Sequence, residues 1–181
     1  MVTPDQVPRI LRDAARLVGD GEIIVFGSGS LSYSLKNAPS SRDLDICVLP
    51  PERGGPVEGL MGELSWYHER HGVYVEVWGP ETFVVPSDWR ARSTTVRMPE
   101  GPGVAIVIPH PHDVLVSKLE RSEAGDLDHI RRILAEHPLS VARLRELADR
   151  SPYRRGAVAD ARRCAAFEAG VERLERTLPP T

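Results

Sequence analysis

The stretch Ile23-Ile24-Val25-Phe26-Gly27-Ser28-Gly29-Ser30, followed by Ser41-Arg42-Asp43-Leu44-Asp45-Ile46, decides how this chain reads. The first part is an apolar run that stops at a glycine-serine turn. The second opens a new apolar run with two aspartates in alternation. A strand repeats every two residues, so Asp43 and Asp45 point to one face. Two carboxylates beside a turn whose glycines let backbone N–H groups approach phosphate are what a magnesium-dependent nucleotide site needs. Alone, an Asp-x-Asp is often a polar strand start, and a glycine-serine turn often only a strand-to-helix connection. Their succession is what points to chemistry. Gly27-Ser28-Gly29-Ser30 lacks the spacing of Gly-x-Gly-x-x-Gly and the lysine of the Walker loop, which sets aside a dinucleotide site and a P-loop.

Outward from this stretch, Thr3-Pro4 reads as a helix start, with apolar residues at helical spacing to Val18 and a stop at Gly19-Asp20-Gly21. Strands are expected over 22–26 and 43–49, with a short helix over 29–36 between them. A helix over 57–70 precedes Val73-Tyr74-Val75-Glu76-Val77-Trp78, a strand with the valines on one face and Tyr74, Glu76 and Trp78 on the other. Residues 92–98 and 103–108, around Gly101-Pro102-Gly103, read as an antiparallel pair. Helices are expected over 113–122, 126–136, 140–149 and 155–177. Strands in the first half and helices in the second give an α+β or α/β arrangement with a helical C-terminal bundle. The domain expectation is a sheet-bearing part, 1–110, with a helical region, 111–181, packed on it.

Glu76 is the third acid of interest, because alternation puts it on the polar face of its strand. It joins Asp43 and Asp45 if the two strands are neighbours; otherwise it is a solvated glutamate. Lys118, expected in mid-helix, would offset phosphate charge. Asp126 reads most simply as a helix N-cap. His110-Pro111-His112-Asp113 reads as a loop ending in a helix cap in preference to a metal site. The arginines of the C-terminal helices, among them Arg143, Arg145, Arg154 and Arg163, read first as a solvated face and second as a surface for a polyanion such as RNA.

The bulk numbers fit an ordinary globular chain of 181 residues: 41% hydrophobic, 27% charged, net charge -3. That balance argues against a surface wholly devoted to nucleic acid. The charge is uneven: residues 1–120 carry a net of -5 and residues 121–181 a net of +2. Cys47 and Cys164 have no metal-ligand spacing and are expected to be reduced. With no leader peptide and no span-length apolar run, a cytoplasmic protein without a membrane partner is expected.

Phe26-Gly27-Ser28, Asp43-Leu44-Asp45 and Glu76 together resemble the nucleotidyltransferase superfamily that shares the DNA polymerase β palm. Val75-Glu76-Val77-Trp78-Gly79-Pro80, Ser87-Asp88-Trp89-Arg90, Pro109-His110-Pro111-His112-Asp113 through Lys118-Leu119, and Gly125-Asp126-Leu127-Asp128-His129 look like the small prokaryotic DUF6036-type proteins. Gly125 and His129 depart from that pattern, where a basic residue and a second acid are common. The resemblance covers about residues 22–136. It implies an α+β fold with a nucleotidyltransferase-type mixed sheet, flanking helices and a C-terminal helical segment.

For the site, the resemblance implies Mg2+ (or Mn2+) on Asp43, Asp45 and Glu76. It implies a nucleoside triphosphate held by Gly27, Ser28, Gly29 and Ser30, with Lys118 and Asp126 on the nucleotide side. The acceptor stays open: an RNA 3′ end, a protein or a small molecule. So does a place in a toxin–antitoxin pair with a cognate partner. The alternatives are a catalytically weak nucleotide- or RNA-binding module, a phosphohydrolase using the same carboxylates, and an arginine-borne nucleic-acid module.

Overall fold

Pro8 near a helix start fixes where the first helix begins, because a proline there gives up no intrahelical hydrogen bond. In the computed structural model, which describes residues 1–98, 103–121 and 123–179, helix α1 runs Val7–Val18. This is later than Thr3-Pro4 suggests. The Thr3 N–H donates to Gln6 Oε1 (2.9 Å) and the Gln6 N–H to the Thr3 carbonyl (3.0 Å), so a turn precedes the helix. Gly19 ends it at φ 75, a conformation other residues rarely adopt.

The strands are β1 (Asp20–Val25), β2 (Leu44–Leu49), β3 (Val75–Val77), β4 (Thr94–Arg97) and β5 (Gly103–Ile108). They form one mixed sheet in the order β3-β2-β1-β5-β4. The β1–β2 and β4–β5 pairs are antiparallel; β1–β5 and β2–β3 are parallel. The architecture is α+β, a five-stranded mixed sheet flanked by helices. The expected antiparallel pair is β4 and β5, while Gly101 and Pro102 of its connection lie outside the described residues.

Alternation sorts the sheet into two faces. Ile23 and Val25, Leu44, Ile46 and Val48, Val75, and Val104, Ile106 and Ile108 share one core with Ile10, Leu11 and Ala14 of α1. Val57 and Met61 of α3 (Gly55–Met61) and Tyr67 of α4 (Trp66–His71) belong to the same core. Asp45 and Glu76 alternate with core residues and so take the opposite face.

One expected helix over 57–70 is two. The chain leaves α3 at Gly62, passes Leu64 at φ 65, and restarts where Ser65 Oγ accepts from the His68 N–H (3.2 Å). A serine cap and a left-handed residue outweigh the helical spacing across the gap.

The chain divides into two compact units, Met1–Phe83 with Ser93–Pro109, and Val84–Arg92 with His110–Thr181. The second holds α5 (Pro111–Ser117), α6 (Ala124–Glu136), α7 (Val141–Asp149) and α8 (Ala161–Glu175). Helix α8 begins later than expected, where Asp160 accepts from the Arg162 and Arg163 N–H groups. Gly170 lets α8 lie against the end of α5: a Cβ there would fall 2.1 Å from the Leu119 carbonyl oxygen. Among the described residues no helix is long and apolar enough to cross a membrane.

Candidate active site

The site grows from the end of the β1–β2 pair. Val25 faces Ile46, and the Phe26 N–H donates to the Asp45 carbonyl (2.9 Å), so the next residue emerges beside the Asp45 side chain. That residue is Gly27, at φ 55. A Cβ there would lie 2.7 Å from Asp45 Oδ2. Gly27 therefore serves a left-handed turn and a close approach at once. It opens the short helix α2 (Gly27–Leu31), where a Cβ on Gly29 would fall 2.4 Å from Leu44 Cδ1. Ser30, 1% exposed, donates its hydroxyl to the Gly27 carbonyl (2.8 Å), so that proton is committed within the turn. Ser28 is also buried and makes no side-chain hydrogen bond among the described residues.

The β2–β3 register brings in the third acid. Leu44 pairs with Val75, Asp45 with Glu76 and Ile46 with Val77. Asp45 and Glu76 are thus lateral neighbours on one face, with Asp43 one repeat along. The residues flanking Glu76 hold the aspartates. The Tyr74 hydroxyl donates to Asp43 Oδ2 (3.4 Å), and the Trp78 indole N–H donates to Asp45 Oδ1 (3.0 Å). Ser41 Oγ reaches Asp43 Oδ1 at 3.5 Å. Behind Tyr74, Arg42 Nε donates to its hydroxyl (2.7 Å) while Arg42 Nη2 contacts Glu63 Oε1 (3.3 Å). Burial raises the Tyr74 pKa, so the hydroxyl keeps the proton it donates.

Glu76 is pushed above the usual carboxylate range, first by burial and then by the charges of Asp43 and Asp45. Among the described residues, no three His, Cys, Asp or Glu side chains already form a metal-holding group. Tyr74 and Trp78 hold the two aspartates toward different donors. The donor set still fits a hard divalent cation, because magnesium takes one or two carboxylates and fills its remaining positions with phosphate oxygens and water.

The other expected residues lie in the second unit. Lys118 is not in mid-helix; it caps the C-terminus of α5. Asp126 is not the N-cap of α6, which is Glu123; it sits in the first turn, 3% exposed. Its carboxylate accepts from Lys118 Nζ (2.9 Å) and from Arg121 Nε (3.0 Å), and these cations hold it below its ordinary value despite burial. Asp126 is the third residue of the helix, past the position from which a side chain caps the first turn. His110 caps α5, its Nδ1 accepting from the His112 N–H (3.2 Å). Burial lowers the His110 pKa to about 4. Arg145, Arg154 and Arg163 pair with Glu175, Glu168 and Glu120.

Residues 6–177 match the family described as "Nucleotidyltransferase of unknown function (DUF6036)". The chain belongs to this family. No curated protein and no solved structure matches it. Within this DUF6036 chain, Tyr74, Trp78 and Arg42 are the residues that sequence reasoning left without a role. The alternation of 73–78 put Tyr74 and Trp78 on the Glu76 face. Their partners became visible only with the parallel β2–β3 register.

Proposed function

We propose that this chain is a magnesium-dependent nucleotidyltransferase that moves a nucleoside monophosphate from a triphosphate to a hydroxyl acceptor. The observation that carries the reading is the register pairing Asp45 with Glu76, on the face shared with Asp43 and beside Gly27. Asp43 and Asp45 hold Mg2+ or Mn2+ together with the triphosphate, and Glu76 completes the donor set on the acceptor side. A bound divalent ion supplies Lewis-acid stabilisation of charge on the attacking and leaving oxygens. The acceptor oxygen forms a bond to the α-phosphorus while the bond to the β-phosphate bridging oxygen breaks, and pyrophosphate leaves. Glu76, beside Asp45 in the β2–β3 register, would help hold the ion that lowers the pKa of the acceptor hydroxyl, whose proton passes to solvent. Gly27 lets the backbone of the turn approach phosphate, and the Ser28 hydroxyl is available as a donor there. Tyr74 and Trp78 orient the two aspartates.

A second reading is a catalytically weak nucleotide- or RNA-binding module of the same fold. The lack of a preformed metal-holding group among the described residues favours it. The pairing of Arg145, Arg154 and Arg163 with acids speaks against an arginine-borne RNA surface.

The test incubates the protein with each α-labelled NTP, Mg2+, and separate pools of RNA, protein and small molecules from a bacterial lysate. Transfer of label with pyrophosphate release, lost in Asp43→Ala/Asp45→Ala, is expected. The labelled pool identifies the acceptor class, a toxin's target included. Phosphate release instead of pyrophosphate assigns a phosphohydrolase. Nucleotide binding without turnover assigns the binding module. In the same assay, Lys118→Ala and Asp126→Ala show whether that pair serves the nucleotide: a raised KM says it does, whereas lost stability at constant KM says it only holds the helices.

A further inference from the structure

On the side of the sheet away from the acids, α1, α3 and α4 leave a groove of about 640 Å³. Its lining is apolar and aromatic: Leu17 from α1, Leu60 and Met61 from α3, and Trp66 and Tyr67 from α4, with Arg16 beside them. That volume is within the range of functional binding clefts. Three of the five exposed large apolar side chains among the described residues fall in this short segment: Leu60 (56%), Leu64 (84%) and Trp66 (65%). Scattered exposed apolar residues need no explanation, but Leu60 and Trp66 both line the groove, with Leu64 in the connection between them.

Two further features are not demanded by the fold. Gly59 lines the groove inside α3, yet a Cβ there would meet nothing within 4 Å. Alanine would fit and would favour the helix, so the fold has no use for glycine here; its effect is to keep the groove open. Leu64, in the α3–α4 connection, takes φ 65 with its side chain almost wholly in water. Glycine or asparagine is the ordinary occupant of such a position.

The polar groups tell what the groove accepts. Asp13 is occupied: it accepts from the Tyr67 hydroxyl (3.0 Å) and, at 3.4 Å, from Arg16 Nη1. Arg16 is 56% exposed and, among the described residues, makes only that long contact, so most of its guanidinium N–H groups face solvent. Arg70 lies over the Trp66 ring, 5.3 Å from its centroid. A concave apolar floor with a donating guanidinium suits an apolar ridge that carries a carboxylate.

We propose that this groove docks an amphipathic helix of a partner protein, with apolar anchors at i, i+3, i+4 and i+7 and an acidic side chain facing Arg16. A membrane surface suits the site less well. The region is a concave cleft rather than a flat face, and the Asp13 carboxylate lies in its lining. Because the groove is backed by the core and the acids lie on the other face, docking leaves the candidate active site accessible. The proposal does not rest on the nucleotidyltransferase reading.

The test pans a display library of helical peptides, randomised on one face, against the full chain. Enriched peptides should carry the four-anchor spacing and a Glu or Asp. Trp66→Ser should weaken them by about 30-fold or more, the loss typical of an anchor residue. Arg16→Glu should weaken them about tenfold, with recovery when the peptide acid is changed to Lys. Both positions are exposed, and unchanged thermal melts show that the variants fold. No enrichment, peptides without the acid, or equal binding to Trp66→Ser would overturn the proposal. So would binding to phosphatidylglycerol-containing vesicles that displaces the peptides, or a dimer of the chain that Trp66→Ser dissociates.

Discussion

Acidic residues serve opposite ends in the two units. In the helical unit they meet cations directly. Asp113, fully buried, accepts from Arg92 (2.6 Å); Asp88 accepts from Arg92 (2.7 Å) and from Arg150; Asp126 takes Lys118 and Arg121. Asp88 is held far below the usual carboxylate range, and Arg92 far above its own. In the sheet unit, the Tyr74 hydroxyl donates to Asp43 and the Trp78 indole to Asp45, and Glu76 is pushed upward by burial and then by its acidic neighbours. A directly paired carboxylate has little negative charge left to offer a ligand. A carboxylate held by a neutral hydroxyl, as Asp43 is by Tyr74, keeps more of its own.

The largest expected effect lies in the helical unit. Arg92→Met strands the buried Asp113 without its cation and leaves Asp88 only Arg150, and should cost about 3–5 kcal/mol, read by urea unfolding. Asp43→Asn in the sheet unit should cost no more than about 1 kcal/mol, because it removes no ion pair. Equal losses at the two sites would erase the contrast.

Gly27→Ala comes next. Its left-handed backbone costs about 1–2 kcal/mol, and the new Cβ presses on Asp45 Oδ2. Transfer activity should fall more steeply than stability. A fall in stability alone would separate the turn from the chemistry.

Tyr74→Phe and Trp78→Phe each remove one donor from an aspartate and keep an aromatic ring at the position. Loss of such supporting donors should weaken cation binding about 10–100-fold, measured by Mn2+ titration, at about 1 kcal/mol or less of stability.

The last contrast is a pH dependence. Because Glu76 has a raised pKa in the folded state, its contribution to stability is present below the ordinary carboxylate range and lost as pH rises through the raised value. Glu76→Gln should therefore be more stable than the parent at neutral pH without cation, with the difference vanishing in acid. In the helical unit His110 behaves differently. Its lowered pKa, about 4, means stability is lost as pH falls from the ordinary histidine value toward 4. His110→Asn, which keeps a capping acceptor, should lose less over that range.

Much of the sheet unit was legible because its signals are local. Alternation in 43–49 and 73–78 assigned faces, and Gly27 marked a turn that the structure makes left-handed. The helix break at Gly62–Ser65 was hidden, because a left-handed leucine leaves no mark in helical periodicity. Long-range pairings were less legible still. That Trp78 reaches Asp45 follows from a parallel register between strands thirty residues apart, and that Lys118 and Arg121 converge on Asp126 follows from how the α5–α6 connection folds back. Composition cannot supply either.

The most direct test of the central claim is a calorimetric titration of Mn2+ into the chain with a non-hydrolysable NTP, repeated on Asp45→Asn and Glu76→Gln. The account predicts that cation and nucleotide each tighten the other's binding, and that both variants lose this coupling while their melting curves remain cooperative. Cation binding of the same strength in the parent and both variants would contradict it.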